Sequence, residues 1–225
     1  MTTVLAAREL RKSFGRTQAL RGADVSVHDG EILAVMGPSG SGKSTLLHCL
    51  GGVLRPDSGE VAFGEVRIDR LADRERSRLR RTCFGFVFQF GQLVPELPVA
   101  ENIALPLLLE GHGRRSALAE AAEWVSRLGL DDLWARLPAE LSGGQAQLVA
   151  IGRALAARPR VVFADEPTGA LDSVAADQVM ELLVDTVRGQ DACLVIVTHE
   201  PRVAAYADRT VIVRDGVVVQ PVGAR

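Results

Sequence analysis

The sequence predicts an α/β protein in which a parallel sheet forms the core and a helical lobe is inserted into the middle of the chain. Three observations predict this arrangement. An apolar run at 32–36 precedes a glycine-rich turn and a helical stretch. Two later apolar runs, at 161–164 and 192–197, end in polar residues, which is typical of buried strands whose carboxyl ends face a ligand. Between the first apolar run and these two, residues 99–137 are rich in Ala and Leu and carry almost no strand signal.

Composition sets the outer limits. At 225 residues the chain can form one large domain with a sizeable core. Its net charge of −2 provides no basic field for nucleic acid. Cys49, Cys83 and Cys193 are widely spaced without a C-x-x-C pair, which argues against a disulfide framework or zinc site and fits a reducing compartment. We find no signal segment and no apolar stretch of about 20 residues.

The glycine-rich turn matches G-x-x-x-x-G-K-[S/T], the pattern of a phosphate-binding loop. Its glycines let successive backbone N–H groups form a concave nest at the positive end of a helix. Lys43 is expected to reach the β- and γ-phosphates, and the Ser44 hydroxyl to bind Mg²⁺. The alternative is a glycine-rich connector, but a chance match is on the order of one in a hundred. The loop comprises Gly37, Pro38, Ser39, Gly40, Ser41, Gly42, Lys43, Ser44 and Thr45.

The N-terminal part reads as strands at 4–14 and 19–27, followed by short strands at 60–63 and 66–68. Phe14 is either a platform for an adenine ring or part of the core, and spacing alone favours the core. A charged helix at 73–81 has arginines all round it, which favours a solvated helix over a surface for an acidic partner or lipid headgroups. A strand at 84–88 ends at Gln89, which means little by itself.

Within the helical lobe, helices are expected at 99–109, 115–128 and 131–137, the last ended by Pro138. In the second, residues 118, 121, 122, 125 and 128 form the predicted apolar stripe. A further helix runs to Ala157 and starts at Ser142, a good N-cap. Gly143 and Gly144 follow, although glycine is costly in a helix. Either this is an ordinary capped start, or its bare N–H groups form a second anion site.

Two carboxylates, Asp165 and Glu166, follow the strand at 161–164. Downstream of a phosphate-binding loop, Asp165 is expected to hold Mg²⁺ and Glu166 to act as general base on a water. The alternative is a charged turn. His199 follows the strand at 192–197, where it can reach a γ-phosphate, although a lone His is more often structural. A helix at 174–187, another at 204–207 and a hairpin of strands 210–213 and 217–219 complete the chain.

Together these motifs resemble the ATP-binding-cassette (ABC) ATPases over essentially the whole chain. The most diagnostic motif is Leu141-Ser142-Gly143-Gly144-Gln145. The residues of several motifs look most like those of the branch serving lipoprotein release, macrolide efflux and cell division. The resemblance implies a RecA-like P-loop NTPase core with an N-terminal antiparallel β subdomain and an inserted helical subdomain. It also implies a single domain over 1–225, with the core at about 1–88 and 158–225 and the helical subdomain at about 89–157.

The resemblance further implies a head-to-tail dimer, of this chain or with a homologue, that holds two ATP molecules with Mg²⁺. Each site would combine the P-loop of one chain with Ser142, Gly143, Gly144 and Gln145 of the other. Phe14 would stack on adenine, Gln89 would contact Mg²⁺ and the attacking water, Asp172 would communicate across the dimer, and His199 would hold the γ-phosphate. A separate membrane permease would dock on the helical lobe and keep the chain at the inner face of the cell membrane.

Two residues depart from the pattern of that branch: Leu148 replaces a usual Arg, and Gly152 replaces a usual Ala at a helix cost on the order of 1 kcal/mol. Two alternatives to transport stay open. One is a regulatory ATPase that drives a membrane protein without moving cargo. The other is a soluble ATPase of DNA repair or translation, against which the acidic balance and the absence of tandem cassettes, a long coiled coil or a zinc insertion argue.

Overall fold

The computed structural model describes residues 2–89, 91–169 and 171–219. The strands of the described chain are Thr3–Phe14 (β1), Thr17–His28 (β2), Ile32–Met36 (β3), Ser58–Phe63 (β4), Val66–Arg67 (β5), Phe84–Val87 (β6), Val161–Asp165 (β7), Cys193–Val197 (β8), Arg209–Arg214 (β9) and Val217–Val219 (β10). The helices are Lys43–Leu50 (α1), Asp73–Cys83 (α2), Val99–Leu109 (α3), Arg114–Arg127 (α4), Gly143–Ala156 (α5), Ser173–Gly189 (α6) and Pro201–Ala204 (α7).

A four-stranded antiparallel sheet contains the N-terminal strands in the order β2-β1-β4-β5. This confirms the predicted antiparallel β layer and its first strands. The predicted strand at 66–68 is one residue too long, because Ile68 is buried and begins a short 3₁₀ helix, Ile68–Arg70. Its side chain joins the core beneath β4, and the backbone turns there to reach α2.

The second sheet has the order β10-β9-β3-β8-β7-β6, and β9, β3, β8, β7 and β6 pair in parallel. Both of its faces are covered. In β7, Val162 and Ala164 belong to one buried cluster, whereas Val161 and Phe163 belong to the other. This two-sided burial explains why these strands read as continuous apolar runs, and it brings their carboxyl ends to one edge.

The helical lobe consists of α3, α4 and α5, which pack on one another. In α4 the buried side chains are Ala117, Ala121, Trp124 and Val125, and Trp124 is 2% exposed. The predicted stripe was wrong at Ala122, which is exposed, and it missed Trp124. The buried positions 117, 121, 124, 125 and 128 fit helical spacing as well as the predicted set does, and they turn the large indole of Trp124 inward.

Two other boundaries differ from prediction at prolines. Pro138 does not end a helix that began at 131; a 3₁₀ turn covers Asp131–Leu133, and Pro138 starts a second one, Pro138–Glu140. Likewise the helix predicted at 204–207 is Pro201–Ala204, which has its proline in the first turn. Proline is suited to the first turn of a helix because the N–H that it lacks would have no acceptor within the helix there.

Gly152 and Gly85 bring α5 close to its neighbours. A methyl group at Gly152 would lie 2.9 Å from Leu128 Cδ1 and 3.2 Å from Ile103 Cδ1. One at Gly85, inside β6, would lie only 2.3 Å from the carbonyl oxygen of Ala154. Glycine lowers the intrinsic propensity of these two elements, but it allows α5 to pack more closely on the sheet and on the other helices of the lobe. No helix in the described ranges is long and apolar enough to cross a membrane.

Candidate functional site

The phosphate-binding loop connects β3 to α1, as its sequence predicts. Pro38, Ser39 and Gly40 are exposed at its tip, whereas Ser41 and Lys43 are buried. The Lys43 ammonium donates hydrogen bonds to the carbonyl oxygens of Gly37 and Pro38, both at 2.9 Å. The loop is thus folded around its own lysine, and Gly42 in the left-handed region leads directly into α1.

Two loop glycines are also required by their neighbours. A side chain at Gly42 (φ 106°) would meet the carbonyl oxygen of Ala19 in β2 at 2.3 Å. One at Gly37 would meet the carbonyl oxygen of Val213 in β9 at 2.1 Å. The loop is therefore packed between both sheets, which fixes its conformation and restricts both positions to glycine.

Ser44 and Asp165 meet at the edge of the parallel sheet, although 121 residues separate them. The Ser44 hydroxyl donates to Asp165 Oδ1 at 3.1 Å. Burial raises the pKa of the Asp165 carboxyl, and the Ser44 hydrogen bond opposes that rise. A hydroxyl and a carboxylate at this distance supply the oxygen ligands that Mg²⁺ prefers.

Glu166 and His199 form a hydrogen-bonded pair beside Asp165. His199 Nδ1 lies 2.8 Å from Glu166 Oε1, and this contact raises the pKa of His199. Glu166 has a positive φ of 49°, and its N–H donates to the carbonyl oxygen of Val197 at 2.9 Å. The backbone of β8 thus holds both groups at the same edge, with the imidazole exposed and the carboxylate mostly covered.

Gln89 and Phe14 lie at the surface. A Cβ atom placed on Gly169 would lie 3.8 Å from Gln89 Nε2. Gln89 is therefore close to the turn that follows Glu166. Phe14 is 50% exposed, and the Lys12 ammonium lies 5.7 Å from its ring centre. The core packing that spacing alone favoured for Phe14 was wrong, because Phe14 ends β1 beyond its last pair with β4, Arg11 with Ser58, and pairs there only with Thr17 of β2. Its role as an adenine platform stays a prediction.

Residues 141–145, which we call the signature segment, form the predicted capped start of α5, the signature helix. The Ser142 hydroxyl accepts from Gln145 N–H at 3.2 Å, and Gln145 Oε1 accepts from Ser142 N–H at 2.9 Å. This reciprocal pair leaves the N–H groups of Gly143 and Gly144 at the positive end of α5. The segment is exposed or half-buried.

The role predicted for Asp172 across the dimer stays a prediction, but sequence reasoning missed its function as a helix cap and also missed two other polar residues around the site, Thr198 and His48. Asp172 Oδ1 accepts from the N–H groups of Val174 and Ala175, so it caps α6, which its position before the helix could have indicated. Thr198 is fully buried, and its hydroxyl accepts from Glu200 N–H at 3.0 Å.

The second missed residue is His48, which lies one helical turn after Ser44 on α1. Burial lowers the pKa of this His, while the charge of Asp165 opposes that effect. Its ring centre lies 5.9 Å from that of Phe88, next to Gln89. No sequence signal marked it, because a lone His on an apolar helix is usually structural.

Comparison with known proteins identifies the family. The family model described as ABC transporter matches residues 20–169. The chain belongs to this family. It is 48% identical over 200 residues to the lipoprotein-releasing system ATP-binding protein LolD 1 of Rhodospirillum rubrum, covering 89% of this chain and 88% of that protein. It is 45% identical to LolD 2 of Caulobacter vibrioides, covering 95% of each.

Solved structures agree with this assignment. The dimeric ATP-binding cassette MJ0796 in a post-hydrolysis state, bound to ADP and Pi, superposes with a TM-score of 0.90 at 34% identity, covering 98% of this chain and all of that one. The predicted ABC ATPase fold is thereby confirmed, and the chain is an ATPase that binds and hydrolyses ATP.

Proposed function

We propose that the chain is the ATPase subunit of a lipoprotein-releasing transporter. In this proposal two copies form a head-to-tail dimer on a separate membrane permease, which keeps them at the cytoplasmic face of the membrane. The similarity to LolD proteins over nearly the full length supports the class of cargo, and the dimeric cassette structures support the assembly.

The observation that carries the proposal is the division of the ATP site into two halves. The P-loop helix α1 contributes Leu46, Leu47 and Leu50 to one buried cluster. The signature helix α5 contributes Val149 and Ile151 to the other. Two helix N-termini suited to anions are thus held by different cores of one chain. A second copy, placed head to tail, would supply its α5 start to the phosphates held by α1.

Mg²⁺ fits the residues present at the sheet edge. Ser44 Oγ and Asp165 would hold it, and Gln89 is the further oxygen ligand expected nearby. The buried Asp165 carboxyl has only the Ser44 hydroxyl as a side-chain hydrogen-bond partner in the described residues, so a cation would stabilise its charged form. When bound, the ion would neutralise charge on the β- and γ-phosphate oxygens.

The mechanism follows from the remaining groups. The Lys43 ammonium, now on two loop carbonyls, can rotate onto phosphate oxygens, while the loop N–H groups cradle them. Glu166 would accept the proton of the attacking water, and His199, hydrogen-bonded to it, would orient that carboxylate and hold the γ-phosphate. The partner's Ser142 and glycine N–H groups would stabilise the transferring phosphoryl group from the other side.

The permease would dock between the core and the helical lobe. A cavity of about 540 Å³ opens between α2, β6, α3 and α5, and we call it the docking groove. Binding energy of two ATP molecules would close the dimer and move the lobes, and the groove would pass this movement to the membrane subunit.

The test is co-purification followed by reconstitution. Tagged Glu166→Gln chain is expressed in its native host with ATP, and the membranes are solubilised. A stoichiometric multi-span membrane protein, whose complex with wild-type chain releases a lipoprotein from vesicles on ATP addition, is the expected result. Capture of soluble or nucleic-acid-binding partners alone would contradict the transport function. ATP turnover by the complex without any release of lipoprotein would favour the regulatory alternative.

A further inference from the structure

His48 carries a buried nitrogen without a hydrogen-bond partner. Its Nε2 atom is covered by protein, and no group in the described ranges donates to it or accepts from it. Leaving a buried polar atom unpaired destabilises a fold, and native proteins rarely do so without a functional reason. An apolar side chain of similar size would avoid this cost at the same position. The nitrogen therefore calls for a polar partner close by.

Helix α1 places His48 next to the residues expected to hold Mg²⁺. Ser44 and His48 are four residues apart on this helix, so their side chains are neighbours on one face, with about 5–6 Å between Cβ atoms. The Ser44 hydroxyl donates to Asp165 Oδ1 at 3.1 Å. The other carboxylate oxygen, Oδ2, accepts no hydrogen bond from the described residues, although Asp165 is only 8% exposed. An unpaired nitrogen and an unpaired carboxylate oxygen thus lie in the same region of the site.

The segment before Gln89 packs against the imidazole. The ring centres of His48 and Phe88 are 5.9 Å apart, and their planes are tilted by 54°. Phe88 is itself held, because its carbonyl oxygen accepts from Gln147 Nε2 on α5 at 3.4 Å, and Gln147 is 1% exposed. His48 therefore joins the helix that carries Ser44 to the segment that leads to Gln89, and both of these residues are expected ligands of the ion.

His48 and Asp165 also influence each other's charge. Burial lowers the pKa of His48, and the negative charge of Asp165 partly opposes this effect. Burial raises the pKa of Asp165, which the Ser44 hydrogen bond and the charge of His48 oppose. Each side chain is therefore within electrostatic reach of the other. A His48 kept neutral by burial can donate one N–H without placing a second positive charge beside Mg²⁺.

We propose that His48 is a positioning residue of the metal site, whose Nε2–H donates to Asp165 Oδ2 when Mg²⁺ and nucleotide bind and so directs Oδ1 at the ion. Hydrogen bonds at catalytic sites often become short and well aligned only in the complex with substrate. Such outer contacts orient the ligands of a metal, and their loss typically costs about 10–100-fold in metal affinity or activity. The inference rests on the Mg²⁺ site of the proposed function and adds the residue that orients its carboxylate. The competing interpretation is that the ring only packs against Phe88.

Three substitutions at one position separate these interpretations. His48→Phe keeps an aromatic ring against Phe88 but has no N–H. His48→Gln places an amide N–H near the position of Nε2, whereas His48→Asn places one near Nδ1. We expect the Phe and Asn variants to lose metal affinity and the Gln variant to retain most of it. His112→Phe, at an exposed position after α3, is the matched control for the loss of an imidazole elsewhere.

The measurement is the affinity of the ADP complex of each variant for Mn²⁺, a paramagnetic probe of the Mg²⁺ site, from the EPR signal of the free ion. Affinity should fall about 10–100-fold in His48→Phe and His48→Asn. Calorimetry of ADP binding in EDTA should give the wild-type affinity for every variant, which shows that the P-loop is folded. In steady-state hydrolysis, the Mg²⁺ concentration for half-maximal rate should rise by the same factor, with a much smaller fall in the rate at saturating Mg²⁺.

Wild-type Mn²⁺ affinity in His48→Phe, or no rescue by His48→Gln, would overturn the inference and leave the metal site intact. Failure of the wild-type ADP complex to bind Mn²⁺ would instead refute the proposed metal site. Should the variants not fold, ¹⁵N-labelled histidine in the wild-type chain provides a second test by NMR. The Nε2–H of His48, identified by its contacts with Phe88, should become protected from exchange when Mg²⁺ is added to the ADP complex. A signal that does not respond to Mg²⁺ would equally overturn the inference.

Discussion

Ser142 allows the capping and anion-binding functions of the signature helix to be separated. Its hydroxyl accepts from Gln145 N–H at 3.2 Å at the start of α5. Aspartate is as good an N-cap as serine, whereas alanine is poor. Ser142→Asp therefore keeps the cap and adds a negative charge, while Ser142→Ala removes the cap without adding charge.

The magnitudes differ between the two variants. Loss of the cap should cost Ser142→Ala about 1 kcal/mol of stability, or a Tm lower by about 2–4 °C for a chain of this size. Ser142→Asp should unfold close to wild type. If the segment faces the γ-phosphate of the partner's ATP, a carboxylate about 4 Å away at an effective dielectric of about 20 costs about 4 kcal/mol, or about a thousandfold in turnover.

The assay combines thermal unfolding with steady-state ATP hydrolysis. We expect Ser142→Asp to be stable and inactive, and Ser142→Ala to be less stable and also impaired. Wild-type turnover by Ser142→Asp would refute the reasoning, because it would show that Ser142 is a helix cap and nothing more. Normal ATP binding by the monomeric variant, measured with a fluorescent analogue, controls for damage to the P-loop.

Three further predictions concern other parts of the molecule. Gly85→Ala should destabilise the fold by about 1–3 kcal/mol in urea denaturation because its methyl group meets an α5 carbonyl at 2.3 Å; Gly189→Ala, with open space around it, should not. By NMR, the pKa of His199 should lie above 6.5 and should return toward 6.5 in Glu166→Gln. The hydrogen bond between His199 and Glu166 therefore stabilises the fold fully below pH 6.5, and this stabilisation is lost as pH rises through the pKa of His199 in the folded protein. Phe14→Ala should weaken ATP binding about tenfold by calorimetry, and Phe14→Trp should retain it.

The spacing of the motifs was sufficient to predict much of the candidate site. Ser44 and Asp165 could be placed together in advance because each follows a buried parallel strand, and the carboxyl ends of such strands share one edge. The same rule brought Glu166 and His199 to that edge. Periodicity also predicted the helical lobe, although it could not choose between overlapping apolar stripes on α4, as exposed Ala122 and buried Trp124 show.

Features that depend on contacts between distant segments could not be read from the sequence. Exposure of Phe14 depends on where the pairing of β1 with β4 ends, which alternation does not specify. The need for glycine at 152 arises from the side chains of Ile103 and Leu128 on two other helices.

The central claim is that two half-sites on one chain are completed by a second copy when ATP binds. The most direct test is the molar mass of Glu166→Gln, measured by light scattering during size-exclusion chromatography with and without Mg²⁺-ATP. We predict a monomer without nucleotide and a dimer with it, and only a monomer once Ser142→Asp is added. A chain that binds ATP and stays monomeric throughout would contradict the account.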